Sequence, residues 1–272
     1  MGVRQVEIMG EYTAGESHLH MAYSFAMLSH DHTPQHFRSC IETFLNVAPD
    51  GWPCWSFSNH DVERHVSRWT QGGGDPDAVA KQAIALLCSF PGTLGIYQGE
   101  EVGQTQTDIL FDELQDKANI AFWPDYKGRD GCRTPMVWDA DQPNAGFTTG
   151  TPWLPIKPPQ AARAVATQEA ANDSVLHSYR ETIAFRRAQD ALRLGETGFL
   201  DLPDPLLGIV RSHKGHALTA VFNLSDHPQS LTIAGKAKPT GPQAAMIDGT
   251  VLTLPARGFV YLETDRTTVL KA

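Results

Sequence analysis

Apolar positions along this chain follow two different periods, and the change between them divides the sequence. Residues 19–28, LHMAYSFAML, form a short apolar run that reads as a buried strand or segment. Residues 33–48 open with Thr33-Pro34, an N-cap followed by a proline at the first helical position. Phe37, Cys40, Ile41, Phe44 and Leu45 then fall on one helical face. WPCWSFS (52–58) is a short aromatic strand. A second capped helix spans 75–90, with Asp75 before Pro76 and Val79, Ile84, Leu87 and Cys88 on its apolar side. Pro91-Gly92 stops it, and TLGIYQG (93–99) predicts another strand. Strands alternating with helices in this order predict parallel βα units.

Residues 100–172 lose the periodicity and are rich in Gly, Pro, Asp and Thr, which marks a long functional loop. An amphipathic helix returns at 174–192, with Leu176, Tyr179, Ile183 and Phe185 in its stripe. After Gly195 the texture changes again. LLGIVRS, ALTAVFNLS, SLTIAG, AAMIDG, TVLTLPA and GFVYLET are short runs separated by turn residues, the pattern of an antiparallel β module. The fold class is therefore α/β then all-β, with the change near 195–199.

Composition narrows the picture modestly. The chain has 272 residues, 41% hydrophobic and 19% charged, which is ordinary for a globular protein. A net charge of −9 argues against a nucleic-acid partner, and no apolar run approaches the length needed to span a bilayer. The N-terminus lacks a secretory pattern, so a cytoplasmic location is expected. Cys40, Cys54, Cys88 and Cys132 lie far apart with no C-x-x-C spacing, which predicts free thiols. His30, His32 and His36 cluster in HDHTPQH without a fourth ligand nearby, and no metal or cofactor is expected. The glycines of QGGGDPD lack the Lys-Ser/Thr of a phosphate loop and read as a link before a capped helix.

The chemistry concentrates where the predicted strands end. In a parallel βα barrel that is where catalytic side chains sit. WSFSNHD ends in Asp61, and GIYQGEEVG carries Glu100 and Glu101. His60 and Arg64 flank Asp61, so a carboxylate acceptor stands beside two donors. This combination suits a polyhydroxylated ligand and a cationic transition state. Spacing equally allows Asp61 to cap the next helix or to pair with Arg64.

Four stretches, in order, resemble the α-amylase superfamily, glycoside hydrolase family 13, and its α-glucosidase branch in particular. FSNHDVERHVSRW resembles that family's fourth conserved region, and PGTLGIYQGEEVG the strand after it. Residues 122–156, FWPDYKGRDGCRTPMVWDADQPNAGFTTGTPWLPI, are similar to the long loop after the eighth barrel strand. AVFNLS (220–225) is similar to a strand of the C-terminal β-domain.

The resemblance implies residues 1–197 as part of a (β/α)8 TIM barrel, about strands six to eight with a long loop at 100–172. It implies 198–272 as an antiparallel β-sandwich domain. It implies retaining hydrolysis of non-reducing-end α-linked glucose in short oligosaccharides or glucosides, with related transglucosylases and trehalose-isomerising enzymes as alternatives. A catalytically silent carbohydrate-binding fragment is the rival. In a retaining glycosidase one carboxylate attacks the anomeric carbon and an acid about 5–5.5 Å away protonates the leaving oxygen. Asp61 matches the third acid of the family, the transition-state stabiliser. His60 and Arg64 match substrate-binding positions, while Glu100 and Glu101 read as supports of the barrel rim.

The nucleophile and the acid/base are expected on strands before this chain's first. Glu11 ends IMGE, which looks like a strand, but residues 6–25 resemble a helix and then the sixth strand. Glu11 lies only eight positions before Leu19, too few for a crossover helix. Glu7 and Glu16 read as surface or loop acids. A closed barrel takes about 250 residues, more than precede the β module. An open sheet edge would therefore invite a missing N-terminal half or self-association. In the long loop, Trp138 and Phe147 read either as sugar-stacking or as core residues.

Overall fold

A computed structural model describes residues 3–15, 17–116, 120–265 and 268–271. Two compact units emerge, one comprising 1–56, 81–95 and 180–272, the other 57–80 and 96–179.

The first unit begins with helix α1 (Val3–Thr13), strand β1 (Ala22–Tyr23), helix α2 (Pro34–Val47) and strand β2 (Pro53–Ser56). The second half of helix α4 (Pro76–Ser89) and strand β3 (Thr93–Gly95) also belong to it. α1 makes residues 3–13 helical, with Glu11 exposed on it, while Glu16 lies outside the described residues. α2 starts as its sequence predicts, because Thr33 Oγ1 accepts from the His36 amide at 3.2 Å and Pro34 follows. Its face buries Phe37, Ile41 and Phe44, while Cys40 and Leu45 are half-buried. Gly10 permits the close approach of α1 and α2, since a Cβ there would meet Val47 Cγ1 at 3.0 Å.

The three strands form a parallel sheet in the order β1-β2-β3. Trp55 of β2 is fully buried, stands edge-on to Phe44, and donates its indole N–H to Pro91 O at 2.9 Å. The 19–28 run differs from expectation. Only Ala22 and Tyr23 form a strand, and Leu19, Met21, Tyr23 and Phe25 are exposed, whereas Met27 and Leu28 are buried. The cause is position: β1 is an edge strand, and the apolar residues at 19–25 have little packed over them.

Helix α5 (Val175–Ala188) and the short helix α6 (Asp190–Leu194) lead, among the described residues, into nine strands. A five-stranded antiparallel sheet has the order β4 (Glu196–Leu200), β5 (Leu206–His213), β6 (His216–Asn223), β11 (Phe259–Thr264), β8 (Ala237–Ala244). A four-stranded antiparallel sheet has the order β12 (Val269–Lys271), β7 (Gln229–Ala234), β10 (Val251–Leu254), β9 (Met246–Asp248). Leu206, Val221, Val260 and Leu262 of the first sheet share one apolar core with Leu231, Ile233, Leu252, Leu254 and Leu270 of the second. The β5–β6 hairpin turns through Lys214-Gly215, both at positive φ, the geometry whose twist matches paired strands.

The other face of the larger sheet is covered by helices. Tyr261 donates to Ala85 O at 2.6 Å and packs on Phe185 at 4.9 Å between ring centroids. Gln82 donates to Asn223 O at 2.7 Å, and Arg211 to Ser89 O at 3.0 Å. Buried Arg186 of α5 donates to Cys88 O, Phe90 O and Gly92 O at 2.6, 2.9 and 2.7 Å. It thereby satisfies one carbonyl in the last turn of α4 and two in the connection to β3.

In the second unit, helix α3 (His65–Trp69) and the first turn of α4 precede a long stretch of short 3-10 and α-helical turns. Asp75 caps α4 by accepting from the Asp77 amide at 2.9 Å. Among the described residues no helix is long and apolar enough to cross a membrane.

Candidate active site

The chain leaves β2 at Ser56 and runs through Phe57-Ser58-Asn59-His60-Asp61 into α3. Asn59 Oδ1 accepts from the Asp61 amide at 2.8 Å, an Asx turn that fixes the backbone beneath the carboxylate. The Asp61 side chain is 39% exposed and that of His60 66% exposed, with His60 Nε2 3.5 Å from Asp61 Oδ2. Asp61 caps no helix, and it does not pair with Arg64. Its Oδ1 instead accepts from Arg129 Nη1 at 3.0 Å and from Arg133 Nη2 at 3.1 Å.

Both arginines come from the 3-10 turn around Asp130–Cys132, in the RDGCRTP segment. Four residues apart, they converge on one oxygen. Their other ends are anchored as well. Arg129 Nε donates to Asp116 Oδ2 at 2.7 Å, Arg133 Nη1 lies 3.7 Å from the same oxygen, and Arg133 Nε donates to His60 O at 2.7 Å. Asp116 is itself positioned from behind. The buried carboxylate of Asp130 accepts from the Gln115 and Asp116 amides through Oδ2, at 2.7 and 2.9 Å. Asp116 first and then Asp61 hold the Arg129 guanidinium above its ordinary pKa. The result is a pinned Oδ1 and an Oδ2 whose contact among the described residues is His60.

Arg64 sits in a different environment. Only 1% exposed, it donates through Nη1 to Gln98 O at 2.7 Å and through Nη2 to Cys132 O at 2.9 Å, with its guanidinium over the Tyr97 ring at 5.1 Å. Burial lowers its pKa from the ordinary arginine value. Two of its three guanidinium nitrogens thus donate to buried carbonyls, an environment unlike the exposed one of His60 and Asp61. Arg68 is likewise buried, donating to Glu63 O and to Phe57 O, and burial brings its pKa to about 10.

Glu100 opens a 3-10 turn between Gly99 and Gly103, both at positive φ. Gly99 has φ +87°, a backbone conformation that favours glycine, and a Cβ there would also crowd Gln104 Oε1 at 2.6 Å and Arg64 Nη1 at 2.8 Å. Glu100 is 2% exposed and Glu101 half-buried. Trp138 and Phe147 are 51% and 47% exposed, so neither is a core residue. The four cysteines are free.

Sequence reasoning placed Asp61 and His60 together at a strand end and missed Arg129, Arg133 and Asp116 as their partners. The available signal was the i, i+4 spacing of two arginines around Asp130 in RDGCRTP. What it could not supply was the distance between that loop and residue 61.

The family described as Alpha amylase, catalytic domain, matches residues 2–195. The chain belongs to this family. It is 50% identical over 224 residues to a probable alpha-glucosidase of Rhizobium meliloti, an alignment covering 82% of this chain and 40% of that protein. An oligo-1,6-glucosidase of Heyndrickxia coagulans is 30% identical over 260 residues, with 83% and 47% covered. Among solved structures, an alpha-glucosyl transfer enzyme, XgtA, superimposes with a TM-score of 0.88 at 39% identity, covering 98% of this chain and 49% of that one. The chain thus spans less than half the length of each of these relatives.

Proposed function

We propose that this chain contributes one wall of the active site of a retaining α-glucosidase that releases glucose from the non-reducing end of short α-linked oligosaccharides. The observation that carries the reading is the half-exposed Asp61 carboxylate, one oxygen fixed by two arginines and the other presented beside His60, in a chain matching the α-amylase catalytic domain.

The chemistry follows from that arrangement. As the glycosidic bond breaks, positive charge grows on the anomeric carbon and ring oxygen. A fixed carboxylate close to that centre stabilises the charge without having to reorganise. Asp61 is assigned this role, with Oδ2 facing the sugar. His60, exposed next to Oδ2, is assigned a hydrogen bond to a sugar hydroxyl. Arg64 braces the loop that carries both. The nucleophile and acid/base are assigned to segments outside this sequence, in keeping with relatives more than twice as long.

Residues 1–197 are proposed to form about strands six to eight of a (β/α)8 barrel, supported by the parallel order β1-β2-β3 with α2 and α4 between the strands. Residues 198–272 are proposed as the accompanying β domain. A cytoplasmic setting belongs to the same proposal, supported by the four free thiols.

A second reading, glucosyl transfer to an acceptor other than water, is favoured by the likeness to the alpha-glucosyl transfer enzyme. The test is product analysis. The chain would be combined with a polypeptide supplying the rest of the barrel and given maltose or isomaltose. Free glucose as the only product supports hydrolysis, lengthened oligosaccharides support transfer, and no reaction in the assembled protein rejects both.

A further inference from the structure

The loop that carries Asp61 and the turn that carries Arg129 and Arg133 are both bonded to a third segment, residues 106–107. The backbone amide of Arg64 donates to Gln106 Oε1 at 3.2 Å. An amide N–H only donates, so the Gln106 atom facing it is the oxygen, which fixes the orientation of the side-chain amide. The Gln106 amide in turn donates to Ser67 Oγ of α3 at 2.8 Å. One residue on, the Thr107 amide donates to Gly131 O at 3.0 Å, midway along the chain between Arg129 and Arg133. Thr107 Oγ1 also lies 3.1 Å from Thr134 Oγ1, just past the same turn. Gly131 marks how close the approach is. A Cβ there would stand 2.5 Å from Gln106 Nε2 and 2.5 Å from Thr107 O.

We propose that Gln106 is a positioning residue for Asp61, setting where the loop that carries the carboxylate stands against the turn that carries the two arginines. Other bonds cross the same gap. Arg64 Nη2 reaches Cys132 O, and Arg129 and Arg133 reach Asp61. Each of those runs through a long side chain whose rotatable bonds can follow a shifted backbone. Gln106 differs in having a fixed base. Its own amide is bonded to Ser67, the next amide is bonded to Gly131, and its side chain holds the main chain at Arg64. A move of either segment therefore strains a bond to the other through 106–107. The coupling rests on the α-glucosidase reading only for its purpose.

Two variants separate the hydrogen bond from mere filling of space. Gln106→Met keeps roughly the size of the side chain and removes the acceptor, whereas Gln106→Glu keeps an acceptor. Both are made in the whole 272-residue chain and read by NMR at groups whose bonds do not involve Gln106. These are the Cys132 and Arg133 amides and the Arg133 Nε–H that donates to His60 O. In Gln106→Met the two amides should exchange about tenfold faster than in wild type, and in Gln106→Glu within about twofold of it. The Arg133 Nε–H resonance should shift in the first variant and hold in the second. Wild-type behaviour of Gln106→Met, or equal effects of the two variants, overturns the proposal.

Should Gln106→Met fail to fold, wild type decides alone. The Arg64 and Thr107 amides should then open as one unit, with protection agreeing within about threefold, and a difference of about 100-fold overturns the coupling. In an assembled enzyme Gln106→Met should lower kcat about ten- to hundredfold with KM little changed, because a displaced Asp61 weakens an interaction made in the transition state. An unchanged kcat overturns the positioning role. An assembly in which wild type itself is inactive counts against the α-glucosidase reading, and the NMR result then decides the coupling by itself.

Discussion

Asp61 and Asp116 are held together by the same two guanidinium groups, each arginine reaching both carboxylates. This cross-link fixes the rotamer of Asp61 from a loop far away in sequence. It sits partly in water, so its worth to global stability is small. Its effect is local orientation. In an assembled enzyme, Arg133→Ala should lower kcat/KM by about 10²-fold, the scale expected when a reacting group is displaced by an ångström or so. Thermal unfolding should move little. Steady-state kinetics beside a melting curve check this, and a large loss of melting temperature with unchanged kinetics would reverse the assignment.

Arg64 should behave in the opposite way. Truncating it to Ala leaves the Gln98 and Cys132 carbonyls buried without donors and opens a void beside Tyr97. Each orphaned buried group costs about 1–3 kcal/mol, so Arg64→Ala should lose on the order of 2–5 kcal/mol in a denaturant titration. A stability within about 0.5 kcal/mol of wild type would return Arg64 to the role of a ligand contact.

Gly92 is a third point of leverage. It has φ +91°, and a Cβ there would stand 2.3 Å from Pro53 O, on the strand that pairs with β3. Neither backbone can move without disturbing the sheet. Gly92→Ala should therefore cost more than the about 1 kcal/mol of an ordinary helix-interior Gly/Ala exchange, and it should act in the destabilising direction. Soluble yield and the urea midpoint report it.

The N-terminus of α2 gives a small calibrated effect. Thr33→Ala removes the acceptor for the His36 amide and should cost about 1 kcal/mol. A urea midpoint indistinguishable from wild type would mean that solvent replaces the cap without loss.

These cases show which parts of the structure were legible in the sequence. α2 and α4 announced themselves because their caps and apolar stripes are local, and Thr33-Pro34 and Asp75-Pro76 need no distant partner. β5, β6, β7, β10 and β11 followed from alternation. β8 did not, because Ala-Lys-Pro-Thr-Gly-Pro-Gln-Ala carries two prolines and little apolar surface. It is tolerated as an edge strand, where missing amide donors matter least. At the site, local sequence brought Asp61 and His60 to one strand end. The burial of Arg64 and the convergence of Arg129 and Arg133 are tertiary facts, set by how loops 96–116 and 129–133 fold onto residues 57–64. A single sequence holds no direct signal of those contacts.

The central claim is that Asp61 supplies the fixed charge for glycosidic cleavage. It is tested most directly by Asp61→Asn in the chain combined with a polypeptide supplying the proposed remainder of the barrel, for which the N-terminal portion of the Rhizobium meliloti relative is a suitable source. Turnover of a chromogenic α-glucoside should be measurable with wild type in the assembly and absent from the 272-residue chain alone. Asp61→Asn should reduce it by several orders of magnitude while the circular dichroism spectrum and melting temperature stay close to wild type. A near-wild-type rate for Asp61→Asn would contradict the account.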